Sequence, residues 1–570
     1  MGIRLCILAA YLLVTLTIGL IFRRRAAGSR LEFFLAGRGL SPVLLFFTLT
    51  ATNFSAFTIF GLSGAGYRIG YAFYPIMGFG TGFMALSFHV IGAKILRLAR
   101  SRNYLTPADF IADRYGSQAL KRLFSAVMIV FTLPYIAIQA VASGRSLSSL
   151  IGLPYLAGAF LITAFIVIYV MLGGMRSIAW TDLIQGGMML VFTLAAFLLI
   201  ARRGGGFIRV HEQAAAGFPA LFSRPGLDGS MLPGVWLGYL VLWFFADPMF
   251  PQLFQRFMAA KDEKTLRTSI VLYPLITGFL FFLTVSIGVM GRQAFPNLPA
   301  AESDSIFPLL LQAAAGPALS TLLLTGSIAA LMSTMDSQLL TLTSMISGDF
   351  LPARSQGIRT ERLIVALIGL AGFAIALRPP ATLLAFISKT TFNGLSVLAP
   401  TVIGGLYWRR ANRWGAAASI LAGEALVLVF YFRWLSFPGV LPVLPILLAT
   451  AFVYIIVSLL TPAARENSAI VFPLRLKVPA VTPARPHQGT LARAAAGAPG
   501  AGPAAGPDRT FARAAVFLLL FVLACDFWVW GRQPLLAAGL PLWVWYHILL
   551  TLLLSAAYKL VLGRPNSSGS

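Results

Sequence analysis

The stretch AALMSTMDSQLL, residues 329–340, places Ser333, Thr334, Asp336 and Ser337 inside a segment long and apolar enough to cross a bilayer. An ionisable group in such a segment costs on the order of 2.5–3.5 kcal/mol and marks a functional site by default. Ala330, Ser333 and Thr334 stand at i, i+3 and i+4, so two hydroxyls and a backbone carbonyl share one helical face. Oxygens alone suit a hard alkali cation. Serine and threonine that merely bond back to the preceding helical turn would need no ligand. Ser333, Asp336 and Ser337 repeat the spacing on an adjoining arc, and Asp182, in GGMRSIAWTDLIQGGMML, is a second intramembrane carboxylate. Two acids that meet in a bilayer need a second ion or a proton between them. The other reading of Asp182 is an interfacial helix cap following Trp180 and Thr181.

The elements that must carry these residues are membrane helices. The chain has 570 residues, 58% of them hydrophobic and only 11% charged, with a mean hydropathy of +0.83. Such a composition excludes a soluble multidomain protein. The net charge of +26 comes from short basic runs between apolar segments, which are membrane flanks and not a nucleic-acid surface. Cys6 and Cys525 lie in apolar segments, and His89, His211, His487 and His547 are widely spaced, so no zinc or disulfide pattern is visible. No cofactor and no obligate protein partner are expected.

Apolar runs of about 20 residues give about fifteen spans. The first, residues 5–22, is preceded by Arg4 and followed by Arg23, Arg24, Arg25 and Arg30, which puts the N-terminus outside. That orientation makes KILRLARSRNYLTPADFIADRYGSQALKR, RFMAAKDEKTLR, PARSQGIRTER and WRRANR cytoplasmic, in keeping with the positive-inside rule. It leaves Arg145, Arg202, Arg203, Arg209, Arg224, Arg292, Arg378 and Arg433 outside. Residues 461–512, rich in Pro, Ala and Gly, read as a cytoplasmic linker to two final helices, where Asp526 and His547 are expected to be interhelical packing residues.

Two segments are interrupted. In TLTATNFSAFTIFGLSGAGY, Thr52, Asn53, Ser55 and several glycines disturb an apolar helix; in GYLVLWFFADPMFPQLF, Pro248 and Pro251 each remove an amide beside Asp247. They open two successive groups of five spans, 40–202 and 231–407. Broken helices at matching positions of two halves are the mark of an inverted-repeat transporter, with the breaks facing a shared centre. Carbonyls freed at the first break, notably those of Ala51 and Phe54, complete an oxygen shell with Ala330, Ser333 and Thr334.

At these residues the chain resembles the sodium:solute symporter family. The resemblance spans roughly residues 30–430 and rests on GGMRSIAWTDLIQ and AALMSTMDSQLL, supported by FFLAGRGLSP, LTPADFIADRYGS and GLYWRRANRWGA. It implies an all-α polytopic membrane protein with a leucine-transporter-type core of five plus five helices, one extra N-terminal helix and about four extra C-terminal helices. It implies a sodium site at Ala51, Phe54, Ala330, Ser333 and Thr334. A second ion, present in some members, maps onto Asp182, Ser333, Asp336 and Ser337. Substrate contacts map onto Asn53, Ser55, Gln139, Trp243, Phe244, Asp247, Lys389 and Asn393. Lys389 binds a substrate carboxylate, pairs with an acid such as Asp247, or snorkels outward.

The expected organisation is an N-terminal helix and flank (1–30), a first repeat (31–202), a second repeat (203–407), two accessory helices (408–460), the linker (461–512) and two C-terminal helices with a tail (513–570). The expected function is sodium-coupled symport of a small organic solute, with a carboxylate among the candidates, by alternating access in the cell (inner) membrane; no covalent chemistry is required. The partners are the solute, sodium and the lipid bilayer, and the C-terminus is cytoplasmic. A proton-coupled carrier on the same fold and a transporter-like sensor are the alternatives.

Overall fold

Alternating apolar segments and basic flanks fold into helices throughout the computed structural model, which describes residues 2–26, 28–380, 382–389, 391–462 and 507–562. Ten described helices are long and apolar enough to cross a membrane, or eleven when a bent pair is taken as one span. The expected spans missing from that count are interrupted, merged or charged. Helix Tyr155–Arg203 holds 49 residues, about 74 Å of helix at 1.5 Å per residue, against a hydrocarbon core of about 30 Å. It is two spans folded at Gly174, whose φ of +60° belongs to the left-handed region.

Both expected interruptions are present. Helix Pro42–Asn53 stops, and the chain restarts as Phe57–Arg68 at an angle of 60°. Helix Pro233–Ala246 gives way to a turn at Asp247–Met249 and restarts as Pro251–Ala259. The start of the first broken helix is tied to the end of the second, because Leu40 N–H donates to the Ala259 carbonyl at 3.3 Å and Lys261 N–H to the Leu40 carbonyl at 3.1 Å. Ser41 caps Pro42–Asn53, accepting from Leu44 N–H, and Asp262 caps Glu263–Ala294, accepting from Thr265 N–H at 2.7 Å.

The half-helix beyond the first break lies against Glu263–Ala294 with backbone directly on backbone at two glycines. A Cβ on Gly66 would stand 2.3 Å from the Val285 carbonyl oxygen, and one on Gly288 would stand 2.1 Å from that of Ser63. Glycine at both positions permits this approach.

The C-terminal helices Pro507–Ala524 and Leu542–Leu562 pack on the core. Tyr558 O–H donates to the Gly82 and Phe83 carbonyls at 3.2 and 3.0 Å, and Ser555 O–H to that of Val271 at 2.7 Å. Asp526 and His547 are buried, as expected of interhelical residues, but their partner is Arg224, expected in an external loop. Arg224 pairs with Asp526, and the His547 Nε2 lies 3.1 Å from Asp526 and 3.2 Å from Arg224. A guanidinium is buried here because a carboxylate and two indole faces, Trp530 and Trp543, receive it.

Candidate functional site

The first break creates the site. After Asn53 the backbone is extended at Phe54, so carbonyls of the last helical turn lose their onward partners. Two of them are met by the neighbouring helix Pro317–Met345. Ser333 O–H donates to the Ala51 carbonyl at 2.9 Å and Thr334 O–H to the Thr52 carbonyl at 3.0 Å; both hydroxyls also reach the Ala330 carbonyl, at 3.0 and 3.3 Å. Ala51, Ala330, Ser333 and Thr334 therefore converge, and Thr52 joins them. Phe54 is buried beside them, its ring edge-on to Phe281 with centroids 5.4 Å apart. The junction holds only neutral oxygens, and rotation of the two hydroxyl hydrogens away from the carbonyls would leave every one of them an available acceptor.

One turn further along, the same helix meets charge. Asp336 accepts from Tyr169 O–H and, at 3.0 Å, from Ser337 O–H. Asp182 accepts from Thr48 O–H at 2.5 Å and faces the Arg256 guanidinium at 3.7 Å. Arg256 also donates to Ser337, to Thr48 at 3.3 Å and to the Gln252 carbonyl at 3.3 Å. Asp182, Asp336, Ser337 and Arg256 are all fully buried.

This geometry corrects two readings. Asp182 is not an interfacial cap; it lies within helix Tyr155–Arg203 in the protein core. Arg256, assigned from sequence to the cytoplasmic stretch RFMAAKDEKTLR, belongs to the restarted half-helix Pro251–Ala259 and is buried. The restart at Pro251 carries the chain on inside the protein, where Thr48, Ser337 and Asp182 absorb the guanidinium's donors.

The other side of the break forms a polar centre. Asn53 donates through its side-chain amide to Asp247 at 3.1 Å and to the Tyr273 hydroxyl at 2.5 Å. Gln139 and Ser55 serve the break itself: the Gln139 side-chain oxygen accepts from Ala56 N–H at 3.1 Å, and Ser55 Oγ accepts from Phe57 N–H at 3.2 Å and Tyr135 O–H at 3.1 Å. Trp243 and Asp247 stand at i and i+4 on one face. Trp243 packs on Phe57 and Phe392 with ring centroids 6.2 and 4.7 Å apart. Among the described residues neither the Trp243 Nε1 nor the Asp247 Oδ1 has a hydrogen-bond partner, although both are buried. Asn393 is buried next to Phe392 on helix Thr391–Ser396.

Phe244 does not join this centre. One residue on from Trp243, it is turned about 100° around the helix, and its ring packs on Phe83 and Phe245 at 5.8 and 5.1 Å. Lys389 ends helix Leu383–Lys389, and its side chain lies outside those described. Thr48, Tyr169 and Tyr273, by contrast, enter the site from apolar stretches in which no spacing singles them out.

Residues 33–423 match the family described as the sodium:solute symporter family. The chain is 28% identical over 461 residues to the sodium/pantothenate symporter of Escherichia coli (strain K12), covering 79% of this chain and 95% of that one. It is 28% identical over 465 residues to the osmoregulated proline transporter OpuE of Bacillus subtilis (strain 168), covering 77% and 92%. Among solved structures, a Na+-coupled sialic acid symporter in a substrate-bound outward-open state superposes with a TM-score of 0.66 at 17% identity, over 81% of this chain and 99% of that one. The nucleobase-cation-symport-1 family transporter Mhp1, closed on bromovinylhydantoin, gives 0.54 at 11% identity, over 77% and 97%. At these identities the two structures speak for the fold alone.

Proposed function

Because the chain belongs to the sodium:solute symporter family, we propose that Ala51, Phe54, Ala330, Ser333 and Thr334, together with Thr52, hold the coupling sodium while a small organic solute binds on the far side of the same break. The protein is a multi-pass membrane protein with the leucine-transporter-type fold, and sodium is its coupling ion. Residues 31–202 and 203–407 are the two repeats, the N-terminus is outside and the C-terminus is cytoplasmic, in the cell (inner) membrane. The observation that carries the proposal is the pair of hydrogen bonds from Ser333 and Thr334 to carbonyls freed at the break.

Sodium entering from outside would replace those hydrogen bonds and pin the first broken helix against helix Pro317–Met345. Asn53, next to Thr52, is then fixed for the solute, so each ligand favours the other. Rocking of one helix bundle exposes the centre inward, and one cation falling through 100 mV supplies about 2.3 kcal/mol. The solute meets Asn53, Trp243, Asp247 and Asn393, with Ser55 and Gln139 shaping the break. Asp247 offers an unsatisfied acceptor and Trp243 an unsatisfied donor, which favours a solute carrying both kinds of group. A carboxylate on that solute is the group Lys389 would bind, and Lys389→Met then abolishes uptake of an acid while sodium binding persists.

A second cation is favoured by one observation: in a fully buried cluster the single guanidinium, Arg256, pairs with Asp182 and reaches Asp336 only through Ser337, so two carboxylates stand against one cation. A second sodium or a proton held with Ser333 and Ser337 would balance the remaining charge. The deciding experiment is solute uptake into proteoliposomes with a panel of monocarboxylates, amino acids, sugars and vitamins. Uptake that needs a sodium gradient supports the proposal. Uptake that ignores sodium and follows a pH gradient overturns it in favour of a proton-coupled carrier, and solute-induced stabilisation without any uptake overturns it in favour of a sensor.

A further inference from the structure

We propose that the C-terminal helices form, with the transporter core, a binding site for one anionic phospholipid. Between the second broken helix, residues 71–102 and the two C-terminal helices lies a groove of about 650 Å³. Its floor is aromatic: Phe83 packs on Phe244 and Phe521 with ring centroids 5.8 and 5.6 Å apart, and Leu518, 63% exposed, forms one lip. Such a floor takes hydrocarbon.

One end of the groove is cationic. His89 and Arg513 line it, and Arg97, Arg267 and Arg513 all lie within electrostatic reach of the His89 ring. Among the described residues Glu263 is the acid at this end, 2.9 Å from Arg97 and 3.3 Å from Arg267, so two of the three guanidinium groups share one carboxylate. The cluster also has hydrogen bonds to give. Among the described residues the His89 Nδ1 and the Arg267 Nε are buried without a partner, and the Arg513 side chain is exposed beside them. A buried donor without an acceptor is costly. A phosphodiester supplies charge-assisted acceptors at this point while its acyl chain follows Phe83, Phe244 and Phe521.

The geometry matches the side of the membrane as well. Two of the guanidinium groups at the cationic end, Arg97 and Arg267, belong to the basic stretches 94–122 and 261–267, which the orientation above makes cytoplasmic, and basic pockets between membrane helices on that side select anionic headgroups. The hairpin that closes the groove is held independently of any lipid, through Tyr558 on Gly82 and Phe83. Phe244, with no place in the solute centre, acquires one here.

The test uses the full chain purified in a neutral detergent, with native mass spectrometry to count retained lipid and thermal unfolding to follow stability. Dioleoyl phosphatidylglycerol is expected to be retained at one per protein at concentrations where dioleoyl phosphatidylcholine is lost, and to raise the unfolding midpoint further. Arg513→Gln, at an exposed position, is expected to weaken phosphatidylglycerol retention about fivefold, the worth of one basic residue near a lipid surface, with the lipid-free midpoint unchanged. Leu518→Trp, which fills the groove from its exposed lip, is expected to reduce retention with every cation in place. Equal retention of the two lipids, or a phosphatidylglycerol preference that survives Arg513→Gln, overturns the proposal.

Discussion

The helix Pro317–Met345 meets its neighbours through two oxygen clusters one turn apart, and the two are built on opposite principles. At Ser333 and Thr334 every group is neutral and each hydroxyl divides its hydrogen bond between carbonyls on two helices. At Asp336 and Ser337 the cluster contains two carboxylates and a guanidinium, all excluded from solvent. Neutral hydrogen bonds of this kind are worth about 1 kcal/mol each and are remade at little cost. A buried ion pair that loses one partner strands the other and costs about 3–5 kcal/mol. On the proposed reading the first cluster takes up and releases the coupling ion in each cycle, while the Arg256–Asp182 pair of the second holds helices in register.

The contrast is most open to attack at Arg256. Arg256→Met is expected to destabilise the detergent-purified protein by about 3–5 kcal/mol, and Asp182→Asn added to it, which neutralises the stranded partner, is expected to restore much of the loss. A variant as stable as the parent in thermal unfolding would mean that the charged cluster is not a fastening. Next in size is Asp247→Leu, which removes the unsatisfied acceptor of the solute centre. Solute binding followed by isothermal titration is expected to weaken roughly 100-fold, the value of a hydrogen bond to a charged group, with sodium-induced stabilisation retained. Ser333→Ala and Thr334→Ala probe the neutral cluster: each is expected to raise the sodium concentration for half-maximal uptake about tenfold while costing only about 1 kcal/mol in stability. If either destabilises as much as Arg256→Met, the two clusters do not differ in kind. The smallest effect belongs to Phe244→Leu, which is expected to leave the solute concentration for half-maximal uptake unchanged.

The same contrast explains which parts of the site were legible in the sequence. The hydroxyl cluster was readable because Ala330, Ser333 and Thr334 obey a local helical spacing, and its partner because Asn53 and the following glycines break an apolar run. The prolines at 248 and 251 announced the second break for the same reason. Arg256 was misplaced because hydropathy assigns a charged residue at the end of an apolar segment to the interface, and only tertiary contact with Asp182 and Ser337 brings it inside. Tyr273 and Tyr169 act through single hydroxyls on otherwise apolar helices, which leaves no pattern. Trp243 and Phe244 are adjacent in sequence and look alike there. The helix turns one toward Phe392 and the other toward Phe83.

The bare backbone seam at Gly66 and Gly288 carries a mechanical corollary. With no side chain between the backbones at these two points, the outer half of the first broken helix and its neighbour Glu263–Ala294 are locked as a single spar. On the side of the first broken helix, a swing between that spar and the inner half-helix is absorbed at residues 54–56, where the Ala56 amide is tethered to Gln139 of helix Gln118–Ile151. The pivot and its leash are thus one hydrogen bond apart.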